Sequence, residues 1–146
     1  MVKLISRNLI VAGALASLLL GSSGCGDGRP ARVPISGQVT IDGQPLKFGS
    51  ILFRPASGRA PSGTLDANGR YVLSTYEKGD GAMVGEYTVA ITGNEQLGEV
   101  AQRWHAPEKY SDPARSELKA TVEGPRDDLN FELTWDGGKP FVQKFQ

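Results

Sequence analysis

The chain has 146 residues, of which 39% are hydrophobic and 22% charged, with sixteen basic and sixteen acidic side chains. This composition is typical of one globular domain, and it lacks the basic excess that binding to nucleic acid requires. Nineteen glycines and nine prolines favour short strands joined by tight turns over long helices, and the single cysteine excludes an internal disulfide.

Residues 1–24 have the pattern of a secretory signal peptide. Lys3 and Arg7 form a basic start, residues 9–20 are an apolar run that contains no charged residue, and small residues follow. Twelve residues form a helix of about 18 Å, whereas a bilayer core requires about 20 apolar residues. We therefore predict a signal-peptide helix that is removed, rather than a permanent membrane span.

Cys25 stands where cleavage of the signal peptide is expected. The segment Gly21-Ser-Ser-Gly-Cys25 resembles the lipobox of bacterial lipoproteins, in which the cysteine receives a diacylglyceryl group and becomes the new N-terminus. Gly24 fits that pattern, while Ser22 stands where the commonest lipoboxes carry leucine. The resemblance implies a lipid attached to Cys25. An ordinary secretory signal with an incidental cysteine is the alternative.

The predicted anchor accounts for membrane attachment without help from charge. Removal of residues 1–24 leaves 14 basic and 16 acidic side chains, a net charge of −2, which does not attract an anionic surface. Acyl chains on Cys25 hold a protein on a membrane through their buried methylenes. We expect a protein of the cell envelope, anchored to a membrane and facing the periplasm or the exterior, with the glycine- and proline-rich residues 25–34 as a flexible tether.

Alternating apolar and polar residues predict short strands throughout residues 35–134. The strongest hairpin signal is Asn68-Gly69, where Asp66 is expected to cap the turn, and where Tyr71 and Leu73 fall on one strand face. Seven strands separated by turn residues predict an all-β fold, a two-sheet Greek-key sandwich. We place them at residues 35–42, 47–54, 62–65, 70–75, 86–92, 117–122 and 128–134.

Two segments depart from this pattern of short strands and turns. Glu95 to Trp104 contains one internal turn residue, Gly98, and is predicted to form a short helix within the long connection of residues 94–116. Such a long connection is usually functional, a cover over a sheet end, or mobile. Residues 135–146 are predicted to be a C-terminal tail that frays.

Four stretches together resemble a known family. They are Val39–Leu46, Ile51–Pro55, Gly63–Leu73 and Gly85–Val89, and they look like a carboxypeptidase-regulatory-like domain with the transthyretin-like (prealbumin-like) fold. Pro107-Glu-Lys-Tyr-Ser-Asp-Pro113 resembles the version found in small bacterial lipoproteins. The resemblance covers about residues 35–134. It implies a non-catalytic β-sandwich module displayed at the cell envelope.

The residue types needed for catalysis are scarce. His105 is the only histidine, and one histidine cannot supply a catalytic zinc site or the several histidines of the hydroxyisourate hydrolases, which share the transthyretin-like fold. Asp66, Asn68, Asp80, Asp127 and Asp128 are loop oxygens that could meet around calcium, but turn chemistry explains the first two, and Asp66-Ala-Asn-Gly69 lacks the rest of a twelve-residue calcium loop. We predict no enzyme activity, no cofactor and no metal site.

Aromatic residues give the one weak indication of a ligand. Trp104 and Tyr110 lie outside the regular strand faces, so they are candidates for a platform that stacks a glycan or a peptide. The alternative, which we favour, is that they fasten residues 94–116 onto the sandwich. The sequence thus predicts a membrane-anchored binding or structural module. A carbohydrate- or peptide-binding module is the first alternative, and an accessory or regulatory domain of an envelope hydrolase is the second.

Overall fold

The computed structural model of the protein describes residues 28–146. The predicted signal peptide and Cys25 lie outside these residues. Nearly all regular structure in the described part is strand, and its one helical element is a single 3₁₀ turn at Glu108–Ser111. None of its helices is long and apolar enough to cross a bilayer.

Eleven strands make up this part of the chain, where the sequence predicted seven. The additional ones are short segments that turn the chain or extend a sheet. The strands are β1 Ser36–Ile41, β2 Gln44–Pro45, β3 Ser50–Pro55, β4 Ser62–Thr64, β5 Arg70–Val72, β6 Gly85–Thr92, β7 Asn94–Gln96, β8 Ala101–Trp104, β9 Leu118–Val122, β10 Phe131–Leu133 and β11 Phe141–Lys144.

Two four-stranded sheets form the layers of the sandwich. One has the order β4-β3-β6-β9, with every pair antiparallel. In the other, β1 is central: it pairs parallel with β10 and antiparallel with β2 and β5. The prediction of an all-β sandwich is confirmed, with a larger number of strands.

The core lies between these two layers and consists of the alternate, inward-facing residues of each strand. The ring of Phe53 on β3 crosses to the other layer, where it meets Phe131 at 5.9 Å between ring centroids and Tyr71 at 6.4 Å. Tyr87 lies 5.6 Å from the same ring. The buried positions lie mainly on the predicted strands, and they include Ile35, Val39, Ile51, Phe53, Tyr71, Leu73, Tyr87, Val89, Ile91, Ala120, Val122, Leu129, Phe131 and Leu133.

The predicted hairpin turn around Asn68-Gly69 is confirmed. The Asp66 carboxylate accepts hydrogen bonds from the backbone N–H groups of Asn68 at 2.8 Å and Arg70 at 2.9 Å. Gly69 has φ +71°, and a Cβ there would lie 2.4 Å from the Val39 carbonyl oxygen. Glycine is therefore required both for the turn and for the close approach of β1.

A tight crossing joins β1 to the segment before β10. A Cβ on Gly37 would lie only 2.0 Å from the carbonyl oxygen of Leu129, so only glycine allows the two backbones to approach this closely. The buried hydroxyl of Tyr71 donates to the same oxygen at 2.6 Å. This crossing locks the β5–β1–β10 layer together.

Residues 94–104 form two strands, so the predicted helix is wrong. β7 and β8 make an antiparallel hairpin in which Asn94 pairs with Trp104 and Gln96 with Gln102. β11 adds to the other side of β8, and the order is β11-β8-β7. We call these three strands the C-terminal sheet. The residues have helix propensity, but pairing with a distant strand overrides it, because propensity is weak relative to tertiary contacts.

Two boundary predictions also differ from the structure. Four residues of the predicted tail, Phe141–Lys144, form β11 and pair with β8. Part of the predicted tether, residues 25–34, is attached to the sandwich: Val33 and Ala82 exchange backbone hydrogen bonds of 2.8 and 3.0 Å. Arg32 forms an ion pair with Asp80. These pairings hold the second half of the predicted tether against the domain.

Candidate functional site

A large open groove runs over β3, β4 and β5, with a volume of about 1090 Å³. Every second side chain of these strands faces the core, and the alternate side chains, most of them polar, line the groove. Leu52 and Val72 add exposed apolar surface to its floor. Six hydroxyl side chains line the groove: Ser36, Ser50, Ser62, Thr64, Ser74 and Thr92.

Three charged side chains, Asp66, Arg70 and Lys78, also line this groove. One oxygen of Asp66 already accepts the two backbone hydrogen bonds of the hairpin turn, so it serves the fold. Hydroxyls can both donate and accept, and Arg70 and Lys78 can only donate. The groove can therefore hydrogen-bond a polar, extended ligand such as a saccharide or a peptide.

His105 belongs to a small ionic cluster beside the C-terminal sheet. One carboxylate oxygen of Glu95 lies 2.9 Å from His105 Nε2 and 3.3 Å from Arg103 Nη1. The hydrogen bond from His105 is the main reason that the pKa of Glu95 falls below its ordinary value, with Arg103 contributing. Phe48 packs on the imidazole at 5.4 Å between ring centroids.

The chemistry of this cluster is limited in the part of the chain that the structure describes. Nucleophilic catalysis requires a hydroxyl or thiol within hydrogen-bond reach of the base. The only side chain that hydrogen-bonds the His105 ring within residues 28–146 is Glu95. The histidine and the carboxylate thus form a hydrogen-bonded pair between β7 and the residue that follows β8.

A second charged cluster surrounds Tyr76. The guanidinium carbons of Arg29, Arg32 and Arg59 lie 5.0, 5.0 and 5.3 Å from the centroid of its ring. These distances allow cation–π attraction. Arg29 also pairs with Glu77 at 3.2 Å. The cluster fastens the segment before β1 to the loop that follows β5.

Asp80 organises that loop. Its carboxylate accepts from the backbone N–H of Thr75 at 2.6 Å, and from those of Tyr76 and Glu77 at 3.1 Å each. Burial alone would raise the pKa of Asp80, but these three donors and the Arg32 guanidinium together lower it. The carboxylate is the hub of a turn.

Three of the candidate calcium ligands, Asp66, Asp80 and Asp128, have other partners in the structure. Asp66 and Asp80 cap different turns, and Asp128 pairs with Arg126 at 3.0 Å. Within residues 28–146 no group of three or more histidine, cysteine, aspartate or glutamate side chains is arranged to hold a metal ion.

Trp104 and Tyr110, the candidate platform, are each only 6% exposed. The Trp104 indole N–H donates to Gln143 Oε1 at 2.9 Å. The Tyr110 hydroxyl accepts from the backbone N–H of Thr134 at 3.2 Å. Both residues fasten the segment around residues 94–116 to neighbouring strands, so neither ring presents an open face to a sugar.

Sequence reasoning did not foresee the groove or the ionic cluster. The signal for the groove was present, since serine and threonine recur at outward positions of several predicted strands. Whether those faces converge depends on sheet topology, which the alternation does not specify. The pairing of Glu95 with His105 depends on the β7–β8 hairpin, which was predicted as a helix.

Comparisons with protein families, with curated proteins and with solved structures find no match for this chain.

Proposed function

We propose that this chain is a lipid-anchored protein of the bacterial cell envelope, whose β-sandwich is a non-catalytic binding or structural module. The observation that carries the proposal is the order of features at the N-terminus. A basic start, a twelve-residue run that is apolar apart from Ser17, and Gly24-Cys25 precede the first strand, which begins at Ser36. A cysteine at that junction is where a diacylglyceryl group would be attached.

We also propose that the domain belongs with the carboxypeptidase-regulatory-like, transthyretin-like modules. The stretches that carry the resemblance coincide with β1–β2, β3, the β4–β5 hairpin and the start of β6. These strands contribute to both layers of the sandwich. The all-β fold is compatible with such a module, and the hydrogen bond between His105 and Glu95 fits a structural role better than that of a catalytic base.

The anchor is tested by fractionation of cells that express the full chain with its own N-terminus. The wild type is expected in the membrane fraction. It is also expected to carry the label when the cells are grown with a labelled fatty acid. A Cys25→Ser variant is expected to lose the label and enter the soluble fraction, while Ser22→Ala and Ser23→Ala keep both properties. Membrane retention without label in the Cys25→Ser variant would show that the anchor is not the lipid.

A second candidate function, binding of a saccharide or peptide, is favoured by the hydroxyl-lined groove. Arg70 and Lys78 stand along it, and their side chains make no ion pair within residues 28–146. Binding to peptidoglycan fragments is expected to fall in Arg70→Ala and to be retained in Lys139→Ala, an exposed control outside the groove. Equal binding by both variants would exclude the groove as the site.

A further inference from the structure

The outer edge of β11 is the surface from which a further inference follows. In the described part of the chain β11 pairs with β8 alone, so it ends the C-terminal sheet. All four of its residues are exposed. Phe141, the first residue of the strand, is 48% exposed, and Phe145, just beyond its end, is 44% exposed. Large exposed apolar side chains concentrated on one element indicate an interaction surface.

The hydrogen bonds of β11 show which of its backbone groups remain available. The Phe145 N–H donates to the Val100 carbonyl at 2.8 Å, so residues 141, 143 and 145 direct their backbone groups towards β8. Successive residues of an antiparallel strand alternate in this respect. The N–H and C=O groups of Val142 and Lys144 therefore point away from the sheet, where another strand can bind them.

The sequence of this edge is nearly symmetric about Gln143. It reads Phe141-Val-Gln-Lys-Phe145. A second copy that runs antiparallel about a two-fold axis at Gln143 places each Phe141 opposite the partner's Phe145. The available groups of Val142 then face those of the partner's Lys144, in the alternation that antiparallel pairing requires.

We propose that β11 is a homodimer interface, in which two copies join edge to edge into a continuous six-stranded sheet. Val142 and Lys144 form four backbone hydrogen bonds across the axis. Two Phe141–Phe145 pairs lie at non-hydrogen-bonded positions, where opposite side chains are closest. Lys144 faces Val142 rather than another lysine, so no like charges stand directly opposite each other.

The size of this interface sets its strength. Pairing of five residues buries less than the roughly 1,200 Å² of a stable interface, so the dimer is weak when the protein is dilute. Attachment to a membrane, if the proposed anchor is correct, raises the local concentration and favours pairing. The geometry of the pairing itself does not depend on the anchor.

The test uses disulfide capture in the full chain with Cys25→Ser, so that the introduced thiol is the only one. Gln143→Cys places two thiols directly opposite each other at the two-fold axis, with Cα atoms about 4.5 Å apart, within the range of a disulfide. Mild oxidation is expected to convert this variant to a covalent dimer on a denaturing gel.

Two matched variants make the test specific. Lys144→Cys is equally exposed on the same strand, but its symmetry mate lies on the diagonal at about 7–8 Å, beyond disulfide reach, so it is expected to cross-link about tenfold more slowly or less. Val142→Pro, added to Gln143→Cys, removes an outward N–H while keeping the bonds to β8. It is expected to abolish capture.

Several outcomes would overturn the proposal. They are equal cross-linking of Gln143→Cys and Lys144→Cys, capture that survives Val142→Pro, and no capture by a Gln143→Cys variant whose circular dichroism is native. Gln143 also accepts the Trp104 hydrogen bond, so sedimentation offers a test that leaves it intact. The average molecular mass of the Cys25→Ser chain is expected to rise with protein concentration, and that of the Cys25→Ser, Val142→Pro chain is expected to stay that of a monomer. Identical behaviour would exclude the interface.

Discussion

Replacing Tyr71 with phenylalanine removes the hydroxyl that donates to the Leu129 carbonyl oxygen at 2.6 Å. Tyr71 is 2% exposed and Leu129 9%, so water has little access to the acceptor that is left. An unsatisfied buried acceptor costs about 1–3 kcal/mol. The ring keeps its contact with Phe53. We therefore expect the free energy of unfolding to fall by about 2 kcal/mol and the midpoint temperature by roughly 5–10 °C.

The measurement is urea unfolding of the Cys25→Ser chain, followed by tryptophan fluorescence. Tyr76→Phe is the matched control, because it also deletes one phenolic hydroxyl but from the surface arginine cluster. It is expected to change the free energy of unfolding by less than about 0.5 kcal/mol. A Tyr71→Phe variant as stable as this control would refute the assignment of the Gly37–Tyr71–Leu129 crossing as a lock.

The same hydroxyl makes stability depend on alkaline pH. Burial raises the pKa of Tyr71 above its ordinary value of 10.0, although Arg126 opposes the shift. The folded protein then keeps a proton that the unfolded chain releases, so stability is full below pH 10 and declines as the pH rises further. Tyr71→Phe should weaken this decline. Tyr87, whose pKa is also raised by burial, maintains the remainder.

Two further predictions concern the backbone crossing and the ionic cluster. Gly37→Ala forces a Cβ to within 2.0 Å of a backbone oxygen and is expected to cost about 3 kcal/mol of unfolding free energy or prevent folding. Gly124→Ala is the control and is expected to be tolerated, because nothing lies within 4 Å of a Cβ there. Equal melting temperatures of the two variants would contradict this. His105→Ala is expected to raise the pKa of Glu95 towards its ordinary value, because the His105 hydrogen bond is the main cause of the lowering; a carboxyl titration by NMR that is unchanged would contradict this.

The parts of the fold that sequence predicted are those with local signals. Alternation predicted a strand at residues 86–92, where β6 lies, and its apolar residues Val89 and Ile91 are fully buried. The turn at Asn68-Gly69 followed from the φ preferences of its residues and from the Asp66 side chain, which acts within four residues. In each case the interactions that decide the structure lie within a few positions along the chain.

The parts that sequence missed depend on distant partners. Residues 94–104 form strands because β11, about forty residues later, pairs with β8. Gln143 then accepts from the Trp104 indole, which buries a ring that the sequence offered as a ligand platform. The hydroxyl-lined groove requires three strands to come together, and no local pattern encodes their order. Long-range strand pairing therefore explains why the helix prediction for Glu95 to Trp104 was wrong and why the groove was not predicted.

If Cys25 carries a lipid, as proposed, the ion pairs of Arg29 with Glu77 and of Arg32 with Asp80 limit how far the sandwich can stand from the membrane. Four peptide steps separate Cys25 from Arg29 and extend at most about 14 Å. With a lipid on Cys25, as proposed, the sandwich would rest on the headgroup layer instead of ranging across the envelope. Any molecule that it recognises would have to come to the bilayer, and the Tyr76 end of the domain would be the side turned towards the lipids.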